Sequence, residues 1–176
     1  MAALIDAAQE PACPYEVALV VSHVADAPGL ETARRAGIET FAQSHLGMKR
    51  AEYDLIVDAE LRRAGIEWIA LAGWMRLLSP DIVARWPGRI VNIHPSLLPL
   101  HKGLDTHARA LAAGDAEAGC TVHVVTEALD EGPILGQARV PILPGDNADA
   151  LAARVLVEEH RLYPRALADL VTRSAA

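Results

Sequence analysis

Short apolar runs alternate with amphipathic stretches along most of this chain. Three runs rich in Val, Ile, Leu and Ala have the pattern of parallel strands covered on both faces: residues 17–24, 66–74 and 89–94. Between the first two runs, a 3.6-residue periodicity predicts a helix over residues 26–36 and a longer helix that Ser44 caps and that ends near Gly65. Strands that alternate with helices predict an α/β fold with a mostly parallel sheet covered by helices on both faces.

The last third of the chain has a different pattern. Residues 120–126 alternate between apolar and polar, and residues 134–142 form a second strand after a loop, so we expect an antiparallel C-terminal strand pair. Asn147 is placed to cap a final helix. Pro164 is where we expect that helix to break, because proline removes an intrahelical hydrogen bond. The length of residues 1–176 fits one domain.

Charge and cysteine content narrow the classes of function. A formal net charge of −7 leaves no general basic surface, so we do not expect nucleic acid as a partner. No apolar run is long enough to span a membrane, and the first residues lack the basic and apolar regions of a signal peptide. Cys13 and Cys120 have neither CxxC nor metal-type spacing, which fits a reducing compartment. These features favour a cytoplasmic protein, and they leave its oligomeric state open.

Two polar side chains lie at the carboxyl end of the apolar run at residues 89–94. Asn92 and His94 are two positions apart, so on a strand they face the same side. Pro95 and Pro99 cannot donate to a ladder, so the strand should end at His94. In open α/β sheets, ligands bind at the carboxyl ends of strands, and this pair therefore marks a candidate site.

His123 and Asp130 are further polar candidates at strand ends. A histidine moves protons near neutral pH, an amide N–H can hold an oxyanion, and a carboxylate can orient a histidine or hold it charged. Together with Asn92 and His94, these groups suit acyl transfer without a covalent intermediate. Two weaker alternatives are a metal site, without any HExxH or Cys/His cluster to support it, and a Ser96 nucleophile, without a GxSxG elbow.

Four segments together resemble the glycinamide ribonucleotide formyltransferase family: residues 92–99 (NIHPSLLP), 103–107 (GLDTH), 122–126 (VHVVT) and 129–135 (LDEGPIL). The resemblance implies a formyltransferase-type domain. It also implies transfer of a formyl group from 10-formyltetrahydrofolate to the amine of glycinamide ribonucleotide in purine synthesis. Another folate-dependent formyltransferase or a formyltetrahydrofolate hydrolase is the alternative within this wider group.

The resemblance also implies a role for individual residues, and it implies no metal. Three match the catalytic residues: Asn92, His94 and Asp130. Twelve match folate contacts: Arg50, Met75, Arg76, Leu77, Leu78, Asn92, Val125, Thr126, Glu127, Ala128, Leu129 and Asp130. Four match contacts to the ribonucleotide: Gly73, His94, Pro95 and Glu159. Two match supporting positions: His107 and His123.

The chain departs from the family pattern at two places. Residues 1–6 resemble the first helix of the family, which normally follows an apolar strand and a Gly-rich phosphate loop. We therefore interpret the chain as N-terminally incomplete, with a hole in its core and a weakened phosphate site. Leu156 stands where relatives often carry a polar or basic residue near the substrate. An inactive folate-binding remnant is thus a further alternative.

Overall fold

The computed structural model describes residues 1–174. Within that range, the chain forms six helices and six strands, which alternate except for the last two strands. The helices are α1 (Ala2–Ala8), α2 (Pro28–Arg35), α3 (Arg50–Arg63), α4 (Pro80–Arg85), α5 (Thr106–Ala113) and α6 (Ala148–Ser174). The strands are β1 (Leu19–Ser22), β2 (Glu39–Ala42), β3 (Ile69–Leu71), β4 (Ile90–His94), β5 (Glu117–Val124) and β6 (Ile134–Pro141).

The strands form two sheets. Strands β1 and β2 pair in parallel, and the second sheet has the order β3-β4-β5-β6. In this second sheet β3 and β4 are parallel, whereas β4–β5 and β5–β6 are antiparallel. The predicted α/β fold is confirmed, and the antiparallel part begins one strand earlier than the predicted C-terminal pair. The site strand β4 therefore has a parallel neighbour on one side and an antiparallel neighbour on the other.

An apolar groove separates the two sheets. Its volume is about 380 Å³, and its walls include residues of α1, β1 and β3. The side chains of β1 and β3 are half-buried, whereas Ile90 and Val91 of β4 are fully buried. The groove therefore leaves β1 and β3 less covered than β4. No helix within residues 1–174 is both long enough and apolar enough to cross a membrane.

The start of α3 corrects one sequence prediction. Ser44 does not cap this helix, because its hydroxyl accepts a hydrogen bond from Leu46 N–H in a turn that precedes it. The helix begins at Arg50, and the Glu52 carboxylate accepts a bond from the N–H of the N-cap residue Lys49 at 3.1 Å. A hydroxyl can stabilise a turn as readily as a helix terminus, so a serine alone does not locate the first residue of a helix.

The final helix, α6, confirms one sequence prediction and corrects another. Asn147 caps α6 as predicted, since its side-chain oxygen accepts a bond from Ala150 N–H at 2.8 Å. Pro164 does not break the helix, which continues to Ser174. Leu162, Tyr163 and Pro164 are all buried there, so packing compensates for the hydrogen bond that proline removes.

Tyr163 connects α6 to the site sheet. Its hydroxyl lies 2.9 Å from the carbonyl oxygens of both Leu71 on β3 and Val91 on β4. The Tyr163→Phe variant should lower the free energy of unfolding by about 1–3 kcal/mol, because buried carbonyls lose their donor. Urea denaturation measures this loss. The matched variant Tyr15→Phe should cost less, since that hydroxyl belongs to a half-buried side chain and lies 3.5 Å from the Leu4 carbonyl; equal losses would contradict the assignment.

Candidate active site

Strands β4 and β5 bring three polar side chains together. Asn92 lies directly opposite His123 in the antiparallel register, and His94 follows at the end of β4. The Asn92 Nδ2 and His123 Nε2 atoms are 3.3 Å apart. His94 and His123 are both buried. The strand ends at His94, as the following proline predicts, and Ser96 N–H already folds back to the His94 carbonyl.

The hydrogen bonds of His123 define its tautomer. Its Nδ1 lies 3.0 Å from the Val124 carbonyl, which can only accept, so Nδ1 carries the hydrogen. Nε2 is then free to accept a hydrogen bond from the Asn92 amide. Burial lowers the pKa of His123 and the nearby His94 lowers it further, although the Val124 carbonyl and Asp130 oppose the shift. A neutral His123 orients Asn92 and leaves its second amide hydrogen available to a ligand.

Asp130 completes the cluster from the loop between β5 and β6. Its backbone has φ +53°, a left-handed conformation that is uncommon outside glycine, and its side chain is buried. Its oxygens lie 3.5 Å from His94 Nδ1 and 3.7 Å from His123 Nε2. Gly103 N–H donates to the same carboxylate at 2.9 Å. One carboxylate thus faces both histidines.

Both ring nitrogens of His94 face oxygen acceptors. Nε2 is 3.0 Å from the His101 carbonyl, which fixes the hydrogen on Nε2, and Nδ1 faces Asp130. Only a protonated imidazole carries a hydrogen on both of its nitrogens. The 3.5 Å between Nδ1 and Asp130 is long for a direct hydrogen bond, so Nδ1 is the ring nitrogen that is open to a further partner.

Two alternative chemistries find no support in this geometry. Ser96 is buried, and its hydroxyl donates to the Leu100 carbonyl at 2.6 Å, so it holds a turn and is not poised as a nucleophile. Among residues 1–174, no group of three or more His, Cys, Asp and Glu side chains is arranged to hold a metal ion.

The predicted folate contacts fall in two segments that pack against one buried cluster. Leu78 and Val125 both contact the core formed by α3, α4 and the start of β4. In the first of these segments, the Met75 and Leu77 side chains are 73% and 57% exposed, which is unusual for large apolar side chains. Residues 126–129 are exposed too. These two segments provide an apolar surface of the kind that a flat ring occupies.

A further folate candidate, Arg50, lies at the start of α3. Arg76 stacks over the Tyr53 ring, with its guanidinium carbon 5.0 Å from the ring centroid. Asp54 accepts a bond from Ser79 N–H at 2.6 Å. These contacts hold the first turn of α3 against the segment that contains residues 75–78. Arg50 is the first residue of this turn and is exposed to solvent.

The predicted ribonucleotide contacts are less closely grouped. Gly73 has φ +67° just after β3, a backbone conformation that favours glycine. Pro95 follows His94 and is half-buried. Glu159 on α6 is half-buried, and burial raises its pKa, although the amino group of Met1 opposes this shift. On α5, burial and the nearby His94 lower the pKa of His107, whose Nδ1 is buried.

Sequence reasoning missed His101 and Gly103. Each contacts the cluster through its backbone: the His101 carbonyl faces His94, and Gly103 N–H binds Asp130. A backbone group leaves no residue-type signature in the sequence. The one available signal was the glycine at position 103, because glycine favours the positive φ of +78° that this turn has.

An amide donor, two histidines and a carboxylate at one side of an α/β sheet define a class of enzyme. Such a site holds a negative oxygen and moves a proton, which is the chemistry of acyl-group transfer. Residues 1–167 match the family described as Formyl transferase, and the chain belongs to this family.

Two of the similar proteins are named phosphoribosylglycinamide formyltransferase, and another is a trifunctional purine biosynthetic protein. Phosphoribosylglycinamide formyltransferase of Escherichia coli (strain K12) is 45% identical over 92% of this chain and 77% of its own length. The crystal structure of phosphoribosylglycinamide formyltransferase from Brucella melitensis superimposes on this chain with a TM-score of 0.92 and a sequence identity of 53%. The match covers 97% of this chain and 88% of that chain. Trifunctional purine biosynthetic protein adenosine-3 of Drosophila pseudoobscura pseudoobscura is 47% identical over 97% of this chain, which spans only 13% of that protein.

The lowered pKa of His123 predicts how stability depends on pH. Below the ordinary histidine value of 6.5, the unfolded chain binds a proton that buried His123 resists, so the free energy of unfolding falls as pH falls. Urea denaturation at about pH 7.5 and about pH 5.5 measures this dependence, and His123→Gln should reduce it. The exposed residue His160 gives the control, His160→Gln. An unchanged pH dependence in His123→Gln would contradict the prediction.

Proposed function

We propose that this chain transfers the formyl group of 10-formyltetrahydrofolate to the amine of glycinamide ribonucleotide, a step of purine biosynthesis. The observation that carries the proposal is the cluster of Asn92, His94, His123 and Asp130 in a chain of the formyl transferase family. We also propose a cytoplasmic location, supported by the free thiols of Cys13 and Cys120.

The reaction sets two tasks for the side chains. The amine nitrogen bonds to the formyl carbon, the bond from that carbon to N10 of the folate breaks, and one proton passes from the amine to N10. The carbonyl oxygen carries negative charge in between. We assign the second amide hydrogen of Asn92 and the ring of protonated His94 to that oxygen. Asp130 holds His94 charged and organises water for the proton transfer.

The folate is assigned to the apolar surface formed by the segments at residues 75–78 and 125–130. Its ring system would lie against exposed side chains such as Met75 and Leu77, while backbone groups read its polar edge. Arg50 is assigned to a charged part of the same molecule. This arrangement would place the formyl carbon beside Asn92 and His94.

The ribonucleotide is assigned to the other side of His94. Gly73 and Pro95 follow the ends of β3 and β4, so a ribonucleotide assigned there would have its amine close to the histidine. Glu159 would bind the glycinamide amine or the ribose hydroxyls. Its burial makes a cationic or hydroxyl partner favourable, because an isolated buried carboxylate is costly.

A formyl-transfer assay tests the proposal. The chain is mixed with a chromogenic formyl-folate analogue, with and without glycinamide ribonucleotide. Turnover that requires the ribonucleotide supports the proposal. Release of formate without the ribonucleotide would indicate a hydrolase, and binding of the analogue without turnover would indicate a folate-binding remnant; either result overturns the proposal.

A further inference from the structure

A short turn, residues 101–103, contacts both members of the proposed acid–base pair. The His101 carbonyl accepts a hydrogen bond from His94 Nε2 at 3.0 Å. Two residues later, Gly103 N–H donates to Asp130 at 2.9 Å. A small displacement of this turn would therefore move His94 and Asp130 together. The contacts that hold this turn therefore determine how well His94 and Asp130 are aligned.

The imidazole of His101 is the anchor of this turn. Its Nε2 lies 2.6 Å from the Asp115 carboxylate, and its side chain is 15% exposed. Its backbone has φ +51°, a left-handed conformation that is strained for a residue with a Cβ. A half-buried hydrogen bond to a carboxylate can stabilise a conformation of this kind. Asp115 follows the C-terminus of α5, so the bond attaches the turn to a helix end.

Weaker contacts complete the attachment of the turn. Lys102 pairs with Glu131 at 2.7 Å, and the Arg109 guanidinium binds the Lys102 carbonyl. Both of these pairs are more exposed than the bond between His101 and Asp115. Exposed ion pairs contribute little because solvent screens them. The bond of the His101 side chain is thus the least exposed of these attachments of the turn.

We infer that His101 is a positioning residue whose bond to Asp115 holds the 101–103 turn in place. In that place, the His101 carbonyl keeps the hydrogen of neutral His94 on Nε2, and Gly103 N–H holds the Asp130 carboxylate. The inference rests on the proposed function, because it takes His94 and Asp130 as the acid–base pair. Loss of the anchor lets the carbonyl move away from Nε2, and neutral His94 then redistributes its hydrogen between its two nitrogens.

Nitrogen-15 NMR of the histidine rings tests the inference without requiring turnover. In the unaltered chain, neutral His94 should show the Nε2–H tautomer, with its signals assigned by comparison with His94→Gln. His101→Leu should convert these signals to a mixture of tautomers. His101→Gln, which keeps an N–H near Asp115, should restore the Nε2–H tautomer. His160→Leu is the matched control for a lost histidine and should change nothing at His94.

Kinetics supply the second readout. His101→Leu should lower kcat by between about tenfold and a hundredfold with KM little changed, because a small misplacement of a catalytic group is costly. If His101→Leu does not fold, Asp115→Ala removes the same bond from its other end and should give the same tautomer mixture. An unchanged His94 spectrum in a folded variant overturns the inference. Altered tautomers in a chain that transfers no formyl group would support the inference and count against the proposed function alone.

Discussion

Replacement of His94 by alanine is expected to lower kcat for formyl transfer by roughly 10²–10⁴-fold, the usual contribution of a general acid–base group. The loss should fall on kcat rather than on the KM for the folate, because that molecule is assigned mainly to the segments at residues 75–78 and 125–130. Steady-state kinetics with the formyl-folate analogue and saturating glycinamide ribonucleotide measure both constants.

The control for this variant has to separate chemistry from folding. His94 is buried, so its replacement leaves a cavity and costs stability as well. Urea denaturation and circular dichroism therefore accompany the kinetics, and His160→Ala, on the exposed face of α6, is the matched variant. A folded His94→Ala chain that keeps more than about a tenth of the original kcat would show that His94 is not the acid–base group.

The site strand could be predicted from local sequence. The apolar run ending in Asn92 and His94, closed by Pro95, forms β4 with the predicted end. Alternation and β-branching act within a few residues, so they can be read directly from the chain. The contact of Asp130 with His94 is different, because thirty-six positions separate these residues. Their residue types and the family resemblance made both of them site candidates, but no local rule predicts that they touch.

Features that depend on tertiary packing could not be predicted. Pro164 should break a helix by local rules, yet α6 continues because its buried face packs on the sheet. Ser44 has the side chain of a cap, yet the chain uses it in a turn. The roles of His101 and Gly103 depend on backbone groups, which every residue carries. Local rules therefore located the strand that presents the site and missed the turn that aligns it.

Asp130→Asn should lower kcat by roughly a hundredfold while leaving the structure of the site in place. The asparagine oxygen can still accept the bond from Gly103 N–H, so the 101–103 turn keeps its contact. What is lost is the negative charge that faces His94 Nδ1 at 3.5 Å and favours the protonated ring. The order-of-magnitude loss follows the usual contribution of general acid–base groups.

Comparison with Asp130→Ala separates the charge from the hydrogen bond. Alanine removes both, so its kcat should fall further and the chain should also be less stable, because Gly103 N–H loses its buried acceptor. Single-turnover kinetics and urea denaturation of the two variants give both quantities. If Asp130→Asn were as active as the unaltered chain while Asp130→Ala were not, the carboxylate would serve only to hold the turn. The charge assigned to the acid–base step would then have to come from another group.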